Sequence, residues 1–259
     1  MPQCTPIPTL STNYVWVLGN PESTRFYVVD PGDAEPVIAY FERRQQRPEA
    51  VLITHTHADH VGGVEALTQR YRNLPVIGPA GAWVNRAVNA NSGFELWPGA
   101  TANVLHLPGH TPEHIAFFIQ GSALSTPLLF CGDVLFSSGC GRMFSGPAEV
   151  FAESLDAIRR LPDHTLLFPA HEYTLQNIEF ARHLEPDNEE LVEKARRCQD
   201  LVAKGACTLP TTLATEKATN PFLRLDCAPI VAAASRELGR APIDGAETFA
   251  VIRALKDAF

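Results

Sequence analysis

Residues 54 to 60 read Thr54-His55-Thr56-His57-Ala58-Asp59-His60, which puts four metal-ligand side chains in six positions directly after an apolar run. That run, Val51-Leu52-Ile53, suits a short buried strand, and Val61-Gly62-Gly63-Val64-Glu65-Ala66-Leu67 suits the start of a helix whose small residues permit close approach. The heptad is therefore expected on a strand-to-helix loop. A solvated polar turn explains one stray histidine but not three histidines and an aspartate at a single strand end. Two histidines two apart on extended backbone project to the same side, so His55 and His57 suit one ion. Asp59 and His60, further round the turn, aim elsewhere, so one loop can serve two ions.

The rest of the chain must supply the remaining donors, and its length allows it. With 259 residues there is room for one large domain, or a domain plus a smaller one, with a sizeable core. A formal charge of -8 with no basic run disfavours nucleic acid as a partner. No apolar stretch reaches the roughly 20 residues that span a bilayer, and Pro2, Gln3, Pro6 and Pro8 are unlike an export signal. The six cysteines contain no C-x-x-C pair, which points to a reducing cytoplasm rather than a disulfide framework, and Cys131 and Cys140 read as small buried hydrophobes. The expectation is a cytoplasmic protein with no membrane partner, for which a monomer suffices.

Up to about residue 170, strand-like runs alternate with polar or glycine turns: 14–18, 26–29, 51–54, 76–78, 102–107, 115–119, 128–131 and 165–169. Helical stretches fall near 35–44, 63–72 and 149–160, so sheets covered by helices are expected. From 173 onward the texture is mainly helical, over 173–184, 188–204, 230–238 and 246–257. The sequence predicts a first domain over 1–172 carrying the metal site and a helical domain over 173–259. Asn188 is a cap candidate before Glu189, and Asn220-Pro221-Phe222-Leu223-Arg224 cannot continue a helix.

Further ligand candidates recur at strand ends. His110 sits in Pro108-Gly109-His110-Thr111-Pro112, Asp133 follows Phe130-Cys131-Gly132, and His171 follows Phe168-Pro169-Ala170. If Asp133 bridges, His55, His57, His110 and Asp133 supply one ion, while Asp59, His60, His171 and Asp133 supply the other, with positions left for solvent. Two divalent ions over these ligands leave a locally positive site inside an acidic protein. His114 reads as a group that orients a ligand, His106 as a strand residue outside the site, and His164 and His183 as surface residues.

The order His55-x-His57-x-Asp59-His60, His110, Asp133, His171 resembles the metallo-β-lactamase superfamily. The resemblance implies an α/β fold, an αββα sandwich with the two metals at one edge between the sheets. A narrower resemblance, over essentially the whole chain, is to the glyoxalase II family of hydroxyacylglutathione hydrolases. It rests on Cys131-Gly132-Asp133-Val134-Leu135-Phe136, Gly139-Cys140-Gly141-Arg142-Met143-Phe144, Ala170-His171-Glu172-Tyr173-Thr174, Asn220-Pro221-Phe222-Leu223-Arg224 and the ending Arg253-Ala254-Leu255-Lys256-Asp257-Ala258-Phe259.

This resemblance implies that a metal-bound hydroxide hydrolyses S-D-lactoylglutathione to glutathione and D-lactate, the second step of methylglyoxal detoxification. Asp59 and Asp133 would be the catalytic carboxylates, and the cofactors two divalent ions, zinc or else iron or manganese. Glutathione, a small-molecule thioester's leaving group, would be held by Arg142, Tyr173, Arg253 and Lys256 and by the segment around Phe144. Arg142 stands where Lys is frequent in the family and keeps the charge. Phe144 stands where Tyr or Asn is frequent; it cannot donate a side-chain hydrogen bond, a loss of about 1 kcal/mol where that contact is used. The alternatives are another thioesterase or hydrolase of the same superfamily, or a persulfide dioxygenase.

Overall fold

The computed structural model describes residues 2–20 and 24–259 and divides into two compact units. The first comprises Met1–His106, Glu113–Gly132 and Phe168–His171; the second comprises Leu107–Pro112, Asp133–Leu167 and Glu172–Phe259.

In the first unit, β1 (Gln3–Thr9), β2 (Asn13–Gly19), β3 (Phe26–Val29), β4 (Ala50–Leu52), β5 (Val76–Gly78) and β6 (Arg86–Ala87) form one sheet in that order. β1 to β3 pair antiparallel, and β3 to β6 pair parallel. Parallel neighbours need a crossover. It is supplied by α1 (Glu35–Arg44) between β3 and β4, and by α2 (Ala58–Val61) and α3 (Val64–Arg70) between β4 and β5. The period of two sorts the side chains. Val15, Val17, Val28, Val51 and Ile53 pack with Val37, Phe41, Val61, Val64 and Leu67 of the helices. Trp16, on the opposite face of β2, meets Phe168 edge-on at 5.0 Å, and the Tyr27 hydroxyl donates to the Leu96 carbonyl at 2.5 Å.

That opposite face carries a second, antiparallel sheet of β7 (Gly93–Trp97), β8 (Ala100–His106), β9 (Ile115–Gln120) and β10 (Leu128–Gly132), with Phe168 and Pro169 beside β10. The first unit is thus two sheets with helices on one outer side. β1 and β7 do not stand out in the sequence. Pro6 and Pro8 make β1 read as loop, and they are tolerated because β1 is an edge strand. β7 is broken by a register shift between Glu95 and Trp97.

The heptad also differs in detail from a plain loop. His57 is the extended residue before α2, so Asp59 and His60 lie within that short helix. Gly62 and Gly63 separate α2 from α3 where the chain presses on residues 32–34. A Cβ on Gly62 would lie 2.6 Å from the Gly32 carbonyl oxygen, and one on Gly63 would lie 2.6 Å from the Ala34 nitrogen.

In the second unit, β11 (Leu135–Phe136) and β12 (Gly139–Cys140) form a hairpin, and the first residues of β13 (Leu166–Pro169) pair with β14 (Thr211–Thr212). The helices are α4 (Ala148–Arg159), α5 (Thr174–Leu184), α6 (Glu189–Ala203), α7 (Leu213–Thr219), α8 (Ala228–Leu238) and α9 (Gly245–Ala258). Asn188 caps α6 as its sequence position predicts, accepting from the Leu191 N–H at 3.0 Å. α7 stops at Thr219, and Pro221–Leu223 forms a 3-10 turn.

Inside this unit lies a fully buried ion pair, Lys194 Nζ to Glu216 Oε1 at 2.5 Å. Glu216 also accepts from Thr211 Oγ1 at 2.7 Å and from the Ser138 N–H at 2.7 Å. Asn220 Nδ2 donates to the Phe136 and Gly139 carbonyls, both at 3.0 Å. The hairpin is therefore pinned by side chains more than 70 positions downstream, including the left-handed Ser138 at its turn. Among the described residues no helix is long and apolar enough to cross a membrane.

Candidate metal centre

The first unit holds five of the predicted ligands. His55 Nε2 and His57 Nδ1 are 3.1 Å apart, and the His55 and His60 rings have centroids 4.0 Å apart. One ligand atom each of Asp59, His60 and His171 lies within 4.8 Å of the others. Asp59 Oδ2 is 3.6 Å from His60 Nε2 and 3.4 Å from His171 Nε2. His55, His60 and His171 are buried, whereas Asp59 is only partly so. Buried imidazole nitrogens and a carboxylate converging on one small volume suit a divalent cation of borderline hardness.

Several neighbours of these ligands carry no signal in the sequence strong enough to single them out. Asp30, at the end of β3, accepts from the Thr54 N–H at 2.8 Å and the Thr54 hydroxyl at 2.7 Å, and its Oδ2 lies 3.2 Å from His60 Nδ1. Asp30 repeats the strand-end pattern of Asp133, which was the signal available. At the end of the turn between β1 and β2, Thr12 Oγ1 is 3.0 Å from His171 Nδ1, and Asn13 Nδ2, at the start of β2, donates to Asp59 Oδ2 at 3.0 Å. His114 is fully buried and stacks on His55 at 4.7 Å. Gly132, at φ +51, lies under both: a Cβ there would collide with Thr54 Oγ1 and come within 2.8 Å of His114 Nε2. His106, His164 and His183 are exposed.

The second unit holds the other two candidate ligands. His110 Nε2 lies 3.4 Å from Asp133 Oδ2, and both residues are buried. His110 Nδ1 donates to the Arg142 carbonyl at 2.8 Å, which presents Nε2 on the Asp133 side. The ring of Phe144, an exposed residue, meets His110 edge-on at 5.2 Å.

The five substrate-binding candidates also fall in this unit. Arg142 is exposed, with Nε 3.8 Å from Asp257 Oδ1. The half-buried Tyr173 ring packs against Phe136 at 5.2 Å. Lys256 donates to the Gln176 carbonyl at 3.3 Å and lies 5.2 Å from the Phe180 ring centroid. Burial, and next the charge of Arg253, hold the Lys256 ammonium below the usual lysine range. Arg253 is buried and turned inward. Its Nη1 donates to the Cys140 carbonyl at 3.0 Å and its Nη2 to Asp257 Oδ1 at 3.1 Å. Cys140 is buried, as its sequence context predicts, and burial pushes its thiol up to about 11.

Comparison with known proteins places this geometry. A model of the metallo-beta-lactamase superfamily matches residues 8–82 and 84–171, and a model of the hydroxyacylglutathione hydrolase C-terminus matches 172–259. Proteins named hydroxyacylglutathione hydrolase from Chromohalobacter salexigens and Nitrosomonas eutropha are 44% and 41% identical, each alignment covering 98% of both chains. Among solved structures, ETHE1 from Myxococcus xanthus superposes with a TM-score of 0.66 at 22% identity, covering 98% of this chain and 91% of that one. TTHA1623, solved in a di-iron-bound form, superposes with a TM-score of 0.59 at 25% identity, covering 85% of this chain and 100% of that one. The fold is the metallo-beta-lactamase fold with an appended helical region, and the chain belongs to the hydroxyacylglutathione hydrolase family of the metallo-beta-lactamase superfamily.

Proposed function

We propose that this chain hydrolyses glutathione thioesters of 2-hydroxy acids, S-D-lactoylglutathione above all, releasing glutathione and D-lactate in the second step of methylglyoxal detoxification. One observation carries the reading: relatives named for this reaction match over the whole chain, including the helical region that a generic superfamily hydrolase does not need. The proposed metal complement is two divalent ions, zinc by preference, with iron or manganese as alternatives. His55, His57, His110 and Asp133 would hold one; Asp59, His60, His171 and again Asp133 would hold the other. The convergence of Asp59, His60 and His171 and the di-iron form of TTHA1623 support this assignment. Bound, such ions lower the pKa of water toward neutrality and polarise a carbonyl.

The chain's own residues then have the following parts. Asp59 and Asp133 are the proposed catalytic carboxylates, and they would act as ligands of the ions. Arg142 and Lys256 are the cations for the carboxylates of glutathione, which a net-negative protein must provide locally. Tyr173 supplies a hydroxyl, and Phe144 supplies an apolar ring in place of a hydrogen-bond donor. Arg253 contributes by holding the main chain of 140–141 ahead of Arg142. The reading has the enzyme act as a monomer in the reducing cytoplasm, in keeping with six free cysteines.

Initial rates on S-D-lactoylglutathione, other thioesters and nitrocefin test the assignment. The glutathione thioester is expected to be preferred over the rest by at least about 100-fold in kcat/KM, roughly 2.7 kcal/mol of discrimination. A preference for nitrocefin, or oxygen consumption with glutathione persulfide, contradicts it.

A further inference from the structure

The turn between β1 and β2 lies far in sequence from every predicted ligand, yet Thr12 at its end and Asn13 at the start of β2 reach two of them. Thr12 Oγ1 is 3.0 Å from His171 Nδ1. Asn13 Nδ2 donates to Asp59 Oδ2 at 3.0 Å and to the Asp59 carbonyl at 3.3 Å. We infer that Thr12 and Asn13 are positioning residues that clamp His171 and Asp59, and so set the metal affinity of the site those two residues share with His60. The inference rests on the proposed reading that Asp59, His60 and His171 hold one of two ions.

The geometry indicates how the clamp acts. An imidazole that donates Nδ1–H to a hydroxyl keeps its Nε2 lone pair for a metal. His171 Nε2 is the nitrogen that faces Asp59, at 3.4 Å. Asn13 Nδ2, which can only donate, also lies 3.4 Å from His171 Nε2; this makes Nε2 the acceptor nitrogen and leaves Nδ1–H to the Thr12 hydroxyl. Asn13 fixes the partner carboxylate in the same way, tying one carboxylate oxygen and the main chain of the same residue to a single amide. Asn13 is buried, so these bonds are made away from bulk water, where they orient most firmly.

Holding the turn together does not require these side chains. The main chain already does so through the Asn13–His171 bridge, the Thr9–Asn13 pair of the β1–β2 ladder and the Tyr14 N–H to Ala170 carbonyl bond at 2.7 Å. Removing the hydroxyl of Thr12 should therefore disturb the ligand and leave the turn.

Thr12→Val is nearly isosteric and deletes only the acceptor; Thr12→Ser restores it, and Asn13→Ala removes the second clamp. Zinc binding to the metal-free full chain, measured by calorimetry against a competing chelator, reads the effect without reference to activity. Wild type is expected to take up two zinc ions. Thr12→Val and Asn13→Ala should each weaken one of the two by about 10- to 100-fold and leave the other unchanged, with Thr12→Ser close to wild type. The apo proteins should melt at the same temperature. Unchanged affinity in both variants overturns the clamp. Equal weakening of both ions together with a lowered apo melting temperature also overturns it, since that marks a purely structural role. A wild-type chain that binds no zinc at the Asp59 site defeats the reading beneath the clamp, and this outcome is seen before any variant is compared.

Discussion

Two polar clusters in this molecule, one fully buried and one partly open at Asp59, are built differently. Around Glu216 in the second unit, donors and acceptors are matched: the ammonium of Lys194, the hydroxyl of Thr211, the amide of Asn220 and the Ser138 N–H all donate to one carboxylate. Around Asp59 in the first unit, Nε2 atoms of His60 and His171 and a carboxylate oxygen face one another at 3.4 to 3.6 Å. In the second arrangement two imidazole nitrogens and a carboxylate oxygen converge on one small volume, which is the donor set a divalent cation takes. A matched ion pair holds a fold; a convergent set of metal-ligand atoms suits a bound ion. The distinction comes from chemistry alone and needs no resemblance.

The largest expected effect comes from removing the ligand proposed to be shared by both ions. Asp133→Ala should lower kcat/KM by about 10³-fold or more, the equivalent of losing several kcal/mol of transition-state stabilisation, with metal content falling in the same preparation. Breaking the matched cluster should do the reverse. Glu216→Ala leaves a buried ammonium uncompensated and should cost about 3–5 kcal/mol in denaturant unfolding, while the double change Lys194→Met with Glu216→Leu should recover most of that loss. Should Glu216→Ala leave stability intact and remove metal instead, the two clusters have been assigned the wrong way round.

Smaller effects sharpen the substrate half. Lys256→Met should raise KM for the glutathione thioester by about 10-fold, the worth of one charge-assisted hydrogen bond, with kcat little changed. The Lys256 ammonium is held below the usual lysine range, so glutathione affinity carried by its charge should be present at neutral pH and decline on the alkaline side earlier than an ordinary lysine allows. Binding titrations of glutathione at rising pH, on wild type and on Lys256→Met, check the sign: only wild type should show the decline. Smallest of all, Asn188→Ala should cost about 1 kcal/mol through loss of the α6 cap, with no change in KM or metal content.

How much of this was legible in the sequence depended on whether the residues involved are neighbours in the chain. The heptad announces itself because His55, His57, Asp59 and His60 fall within six positions, and His110, Asp133 and His171 follow because each ends an apolar run. Asp30, Thr12 and Asn13 touch the same ligands but stand alone among ordinary turn residues, and their partners are 24 to 159 positions away. The strands with plain apolar runs were legible, whereas β1 was hidden by its prolines and β7 by its bulge. The inward turn of Arg253 was not readable either. A cation on a terminal helix looks solvent-bound until the Cys140 carbonyl is found beside it.

The central claim, a two-metal thioester hydrolase, is tested most directly by reconstituting chelator-treated enzyme with zinc while following both bound metal and S-D-lactoylglutathione hydrolysis on one sample. The account predicts an inactive apo protein whose activity rises with added zinc and saturates at about two equivalents per chain. Full hydrolysis by metal-free protein, or saturation of binding with no gain in thioesterase rate, would contradict it.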